Sequence, residues 1–210
     1  MLENQIPNEW KEVLAKLQTV FSEAIIGGGA LRDLDYDKSV KDVDIFIPIT
    51  CCPDGLFDSY IMEMFAGTDI KALPAALYGQ EHEINFSRII YAVYEVNLHG
   101  KPFNIIITNN DGYDIGTFDF SICQIKFDGK EFTTTEAYEE TKRTKVITLM
   151  TNKQSVERVS GRVERLRAKF PDFKFDTSLI DMFQFDVTKA IASLVVLRDA
   201  MINNKLIDVT

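Results

Sequence analysis

The sequence predicts a fold that combines helices with a sheet, and three observations carry that expectation. Residues 8 to 22 place apolar side chains at three- and four-residue spacing, the pattern of an amphipathic helix. Ala24 to Ile49 reads as a strand end, three consecutive glycines, a short helix, a polar loop and a second strand. Ile89 to Thr108 reads as a hairpin rich in β-branched and aromatic residues, turning at His99-Gly100-Lys101.

At 210 residues the chain can bury one substantial core, or a core with a small appendage. An apolar fraction of 46%, with 15 Phe and 7 Tyr, fits a soluble globular protein rather than a disordered one. No apolar run reaches the length of a membrane span, and Met1-Leu2-Glu3-Asn4 lacks the features of a signal peptide. The expectation is a cytoplasmic protein with no membrane partner. Three cysteines, two of them adjacent at Cys51-Cys52, make neither a disulfide framework nor a spaced zinc site, and His82 and His99 are too few for a histidine-rich centre. A net charge of −9 argues against bulk electrostatic binding of nucleic acid. Residues 141 to 174 nevertheless carry ten Lys or Arg against three acids, a candidate anion contact on an acidic protein.

In chain order, Asn8 is the expected N-cap of the first helix, and Trp10, Val13, Leu14, Leu17, Val20 and Phe21 form its buried side. Leu56 to Phe65 predicts a second amphipathic helix, and residues 67 to 87 have weak periodicity. After the hairpin, Asn109-Asn110-Asp111-Gly112 is a turn. Phe118 to Ile125 is a buried strand or short helix, and Asp128-Gly129 turns the chain into Glu131-Phe132-Thr133. From about Gln154 to Lys169 an amphipathic helix sets Arg158, Arg162, Arg165 and Lys169 in a basic stripe beside its apolar side. A last helix is expected over Leu179 to Ile202, opened by Ser178 with Asp181 as a capping box. The aromatic residues between Phe170 and Phe185 are expected in the core, and Asp35 and Asp37 in water.

The Ala24 to Ile49 stretch carries the chemistry. Gly27, Gly28 and Gly29 let the backbone turn sharply and approach a ligand, and a helix opened by glycines offers free N–H groups to phosphate. In Asp42-Val43-Asp44-Ile45-Phe46-Ile47, period-2 alternation sets both carboxylates on one face and Val43, Ile45 and Ile47 on the other. Two neighbouring carboxylates repel, so such a pair points to a divalent cation.

Gly-Gly-x-x-Arg-Asp, a polar loop and then Asp-x-Asp resemble the nucleotidyltransferase superfamily of the DNA polymerase β type. More narrowly, Gly28 to Asp33 is similar to the head domain of poly(A) polymerases and CCA-adding tRNA nucleotidyltransferases. The segment Phe118 to Ile125 resembles the family's Arg-Arg-Asp-Phe-Thr-Ile-Asn-Ala, with Asp119 to Ile122 in matching places and Thr117-Phe118 where the arginines would stand. The resemblance implies an α+β fold with a central mixed sheet flanked by helices. The expected division is a core over residues 1–135 and a mostly helical C-terminal extension over 136–210. It also implies two magnesium ions, or manganese in their place, on Asp42 and Asp44, with Gly27, Gly28, Gly29 and Arg32 at the triphosphate. Arg158 and Arg162 are candidate phosphate contacts on the basic helix. The substrate implied is an NTP such as ATP, and the acceptor a hydroxyl of RNA, a small molecule or a protein. Many superfamily members carry a third carboxylate where this chain has Asn104, and Asp119 is the candidate to supply it. The chain is too short for the whole tRNA-binding body of a CCA-adding enzyme. Two readings stand: an active nucleotidyltransferase, or a degenerate module that binds a nucleotide or partner.

Overall fold

A computed structural model of the chain describes residues 6–52, 54–73, 90–151 and 156–180. The expected capping residue Asp181, nearly all of the expected last helix, His82, Phe183 and Phe185 lie outside the described residues, and residues 178–180 form the helical start.

The helices are α1 (Asn8–Gln18), α2 (Gly29–Asp35), α3 (Phe57–Met64), α4 (Asn110–Tyr113), α5 (Glu136–Thr144) and α6 (Val156–Lys169). The strands are β1 (Ile25–Gly27), β2 (Val43–Pro48), β3 (Asp69–Leu73), β4 (Ile90–Leu98), β5 (Lys101–Thr108), β6 (Ile125–Phe127), β7 (Phe132–Thr134), β8 (Val146–Thr148) and β9 (Lys174–Asp176). Seven strands form one sheet in the order β3-β4-β5-β2-β1-β6-β7, and β8 pairs with β9. In the large sheet β2 and β5 run parallel and the other neighbours antiparallel, so the fold is α+β with a mixed sheet, as expected.

One face of the sheet carries the main core, and on the other Ile90, Val93 and Ile106 are also buried. Val43, Ile45 and Ile47 of β2, Phe103, Ile105 and Ile107 of β5 and Tyr94 and Val96 of β4 pack with Trp10, Leu14 and Leu17 of α1 and Phe57 and Ile61 of α3. At roughly 1.5–3 kcal/mol for each fully buried large apolar side chain, this layer fixes which face of β2 is left for chemistry. A second cluster joins Phe120, Ile122 and Cys123 to Ile147, Leu149, Val159, Val163, Leu166 and Phe170, and so docks α6 and β8 beside the sheet. Beyond residue 135 the described chain thus alternates α5, β8, α6 and β9.

The hairpin between β4 and β5 turns through His99 and Gly100, at φ 53° and 73°, the positive values that a two-residue type I′ connection needs. Three expectations are corrected. Asn8 is the first helical residue rather than the cap: Pro7 precedes the helix, and its carbonyl accepts from Trp10 N–H at 3.1 Å. That helix stops at Gln18, because Thr19 leads into a turn that carries Phe21 back onto Phe57, stacked at 5.7 Å. Asp35 does not face water: its side chain is 9% exposed, and its Oδ2 accepts from Tyr138 Oη at 2.7 Å and Lys142 Nζ at 2.6 Å.

Candidate active site

The face opposite the core begins with the alternation along β2. Val43, Ile45 and Ile47 are fully buried, whereas Asp42, Asp44 and Phe46 are half-buried. Asp42 immediately precedes the strand, and its Oδ2 lies 4.0 Å from the exposed Lys41 Nζ. Asp44 stands opposite Asn104 of β5, whose Nδ2 donates to Asp44 Oδ1 at 2.9 Å. Asn104 stands opposite Glu95 of β4, and Glu95 opposite Lys71 of β3. Directly paired residues share a face, so Lys71, Glu95, Asn104 and Asp44 form one polar row across four strands. The adjacent row, Leu73, Val93, Ile106 and Phe46, is apolar.

β1 delivers the chain to the glycine turn beside this row. Gly28 donates its N–H to Ile125 O at 2.9 Å and takes φ 73°, ψ −129°, a backbone region that L side chains rarely enter. A Cβ on Gly27 would meet two atoms of the Phe46 ring at 3.2 Å and one of Phe118 at 3.4 Å. Ring packing therefore accounts for glycine at position 27, and backbone conformation for glycine at 28. The Phe46 and Phe118 rings meet at 5.1 Å. At the start of α2, Gly29, Ala30 and Leu31 keep N–H groups that find no acceptor within the helix, as at any helix start.

Arg32 is 7% exposed. Its Nε and Nη2 donate to Asp33 Oδ1 at 2.9 and 2.7 Å, and its Nη1 donates to Cys123 Sγ at 3.2 Å. The second oxygen of Asp33 accepts from Lys169 of α6. Arg162, two turns earlier on α6, sets its Nε 2.7 Å from Asp119 Oδ2 and its guanidinium over the Phe120 ring. Burial pulls the Arg162 pKa down, but the charges of Asp119, Cys123 and Asp44 more than offset it, against opposition from Arg32, and leave it above the ordinary arginine value. Arg32, Arg162, Asp119, Cys123 and Asp44 thus form one electrostatic neighbourhood. Arg158, half-buried, lies one turn before Arg162 on the same side of α6.

Asp119 is therefore set against a cation rather than left open, and among the described residues no group of three or more His, Cys, Asp and Glu side chains is arranged to hold a metal ion. Asp42 and Asp44 bring the charge to balance one divalent ion. A magnesium ion bound through one or two carboxylates completes its shell with water and substrate phosphate oxygens, and this donor pair fits that pattern.

Several residues escaped the sequence reading. Gln124, 1% exposed, donates from Nε2 to the carbonyls of Gly116 at 2.9 Å and Phe118 at 3.2 Å, which holds the loop that presents Phe118 and Asp119. A glutamine inside an apolar run was the available signal. The alternation that sets Asp44 beyond the core also sets Phe46 there, and the reading used only the carboxylates.

This architecture is the nucleotidyltransferase fold. Among solved structures, a CCA-adding enzyme in complex with ATP superposes with a TM-score of 0.59 at 15% identity, over 91% of this chain and 46% of its own. The Thermotoga maritima CCA-adding enzyme complexed with tRNA gives 0.58 at 16% identity, over 90% and 44%. A tRNA nucleotidyltransferase with a primer tRNA and an incoming ATP analogue gives 0.53 at 15%, over 85% and 51%. The chain spans about half the length of these structures, and at such identity the likeness is one of fold. No protein-family model matches the sequence, and comparison with curated proteins by sequence gives no match. No helix among the described residues is long and apolar enough to cross a membrane.

Proposed function

We propose that this protein is a metal-dependent nucleotidyltransferase that moves a nucleoside monophosphate from an NTP to a hydroxyl and releases pyrophosphate. The observation that supports it most is the placing of Asp42 and Asp44 on the face of β2 opposite the main core, in a sheet of nucleotidyltransferase topology. Asp42 and Asp44 hold magnesium, or manganese. When bound, the cation lowers the pKa of the attacking hydroxyl and offsets the charge that develops on the leaving pyrophosphate. The N–H groups at Gly29 to Leu31 receive the triphosphate where Gly27 and Gly28 turn the chain. Arg32, Arg158 and Arg162 supply the positive charge that favours a polyanion beside the carboxylates, and the pairing of Arg32 with Asp33 and of Arg162 with Asp119 keeps those two fixed. The acceptor oxygen bonds to the α-phosphorus, the bond from that phosphorus to the α–β bridging oxygen breaks, and the hydroxyl proton is lost to solvent. Neighbours solved with ATP and with tRNA support an NTP substrate and an RNA acceptor. Residues 1–135 form the transferase core, and 136–210 an extension that presents the basic helix.

A degenerate, binding-only protein is the competing reading, favoured by Asn104 in place of a carboxylate and by the Phe46–Phe118 pair packed against the glycine turn. The test is incubation with each α-labelled NTP, magnesium or manganese and total cellular RNA and protein, beside the Asp42→Ala/Asp44→Ala variant. Transfer by the wild type and not by the variant is the expected result. Equal label in both, or none in either, overturns the proposal.

A further inference from the structure

We infer that Glu95 supplies the third negative charge of the proposed cation site, across the strand from the amide that takes the carboxylate position. The inference rests on the reading of Asp42 and Asp44 as cation ligands. The register fixes the geometry: Glu95 pairs with Asn104, and Asn104 pairs with Asp44. Strands lie about 4.8 Å apart, so the backbones of Glu95 and Asp44 are about 10 Å apart on the same face. That gap, with Asn104 standing in it, sets Glu95 apart from the groups that would touch the ion: among the described residues no three acidic side chains are arranged to hold one directly. It suits a magnesium ion, which keeps several of its waters and lets an outer carboxylate accept their hydrogen bonds.

Three observations single out Glu95. Asn104, between the two carboxylates, is 6% exposed and donates to Asp44, which orients that carboxylate without adding charge. Tyr94 and Val96, on either side of Glu95, belong to the core, so the strand cannot turn Glu95 away without unpacking them. Its other cross-strand neighbour, Lys71, lies 3.7 Å from Asp69, and among the described residues no hydrogen bond or ion pair engages the half-buried Glu95 carboxylate. Glu95 is thus a positioning residue that acts through water on the cation.

Manganese alone, titrated into the full chain and followed by electron paramagnetic resonance, tests this. Asp44→Asn is expected to abolish specific Mn2+ binding, and Glu95→Gln to weaken it by roughly ten- to a hundred-fold. Adding Asn104→Asp to Glu95→Gln returns a carboxylate to the row and is expected to recover most of the affinity, with circular dichroism and melting temperature unchanged throughout. If Asp44→Asn loses binding while Glu95→Gln stays within two-fold of the wild type, the role of Glu95 is overturned and the Asp42–Asp44 site stands. If the wild type binds no Mn2+, or Asp44→Asn binds as well as the wild type, both readings fail. Loss in Glu95→Gln without recovery in the double variant also overturns the charge argument.

Discussion

Arg162 Nε lies 2.7 Å from Asp119 Oδ2, so the helix with the basic stripe is tied by charge to the segment with the third acidic candidate. The Asp119 side chain is 8% exposed and that of Arg162 30%, so water screens the pair poorly. Removing one partner leaves the other charged and buried. Arg162→Ala is expected to lower stability by about 3 kcal/mol in urea unfolding. Asp119→Ala/Arg162→Ala should cost less than the sum of the single changes, because the double variant leaves neither charge stranded. Additive costs would show that the two side chains do not depend on each other.

The glycine turn gives a second test, which separates two causes for the same residue type. Gly28→Ala forces a side chain into φ 73°, ψ −129°, and is expected to cost about 1–3 kcal/mol wherever neighbouring rings sit. Gly27→Ala pushes a methyl to 3.2 Å from the Phe46 ring, an overpacking cost of about 1–3 kcal/mol. Adding Phe46→Leu should relieve Gly27→Ala and leave Gly28→Ala unrelieved. Thermal unfolding of the four variants reads this directly.

The parts of the fold legible in the sequence were those fixed by a period. β2 alternates because one face is in the core, so the placing of Asp42 and Asp44 followed from Val43, Ile45 and Ile47. The β4–β5 hairpin followed from its β-branched arms and the His99-Gly100 turn. What the sequence hid were pairings between residues far apart in the chain. Asp35 meets Tyr138 across 103 residues, and Asp33 meets Lys169 across 136. No local pattern marks an aspartate that will be buried by a helix folded later in the chain. The basic stripe was visible as a spacing, but Arg162 and Lys169 on it are engaged by Asp119 and Asp33, which spacing alone does not reveal. Likewise Asn8 has the chemistry of a cap, and only the path of the chain through Pro7 makes it helical instead.

Buried and half-buried tyrosines set an alkaline limit on stability. Burial, helped by Asp35 and Glu139, pushes the Tyr36 pKa up to about 12, and burial, helped by Glu23 and Cys51, does the same for Tyr113. Burial and Asp35 raise Tyr138 further, and burial and Asp58 raise Tyr94. In the unfolded chain these groups ionise near pH 10. Above that pH the unfolded state holds fewer protons than the folded one, so stability falls as pH rises. The contribution is fully present below about pH 10 and declines from there through pH 12. Denaturant midpoints across this range should fall, and ultraviolet difference spectra of the folded protein should show Tyr36 and Tyr113 ionising near pH 12.

Two of these tyrosines should respond oppositely to loss of the hydroxyl. The Tyr138 hydroxyl donates to Asp35 Oδ2 at 2.7 Å inside the core, while the Tyr36 hydroxyl is buried with no hydrogen-bond partner among the described residues. Tyr138→Phe strips a donor from a carboxylate that is only 9% exposed and leaves Lys142 as its remaining partner. A cost of about 1–3 kcal/mol is expected. Tyr36→Phe removes an unpaired buried hydroxyl and keeps the ring against Phe170 and Phe173, at 5.3 and 5.6 Å between centroids. Its effect should lie between neutral and about 1 kcal/mol stabilising. Urea unfolding at pH 7 decides both, and a destabilised Tyr36→Phe would mean that this hydroxyl finds a partner after all.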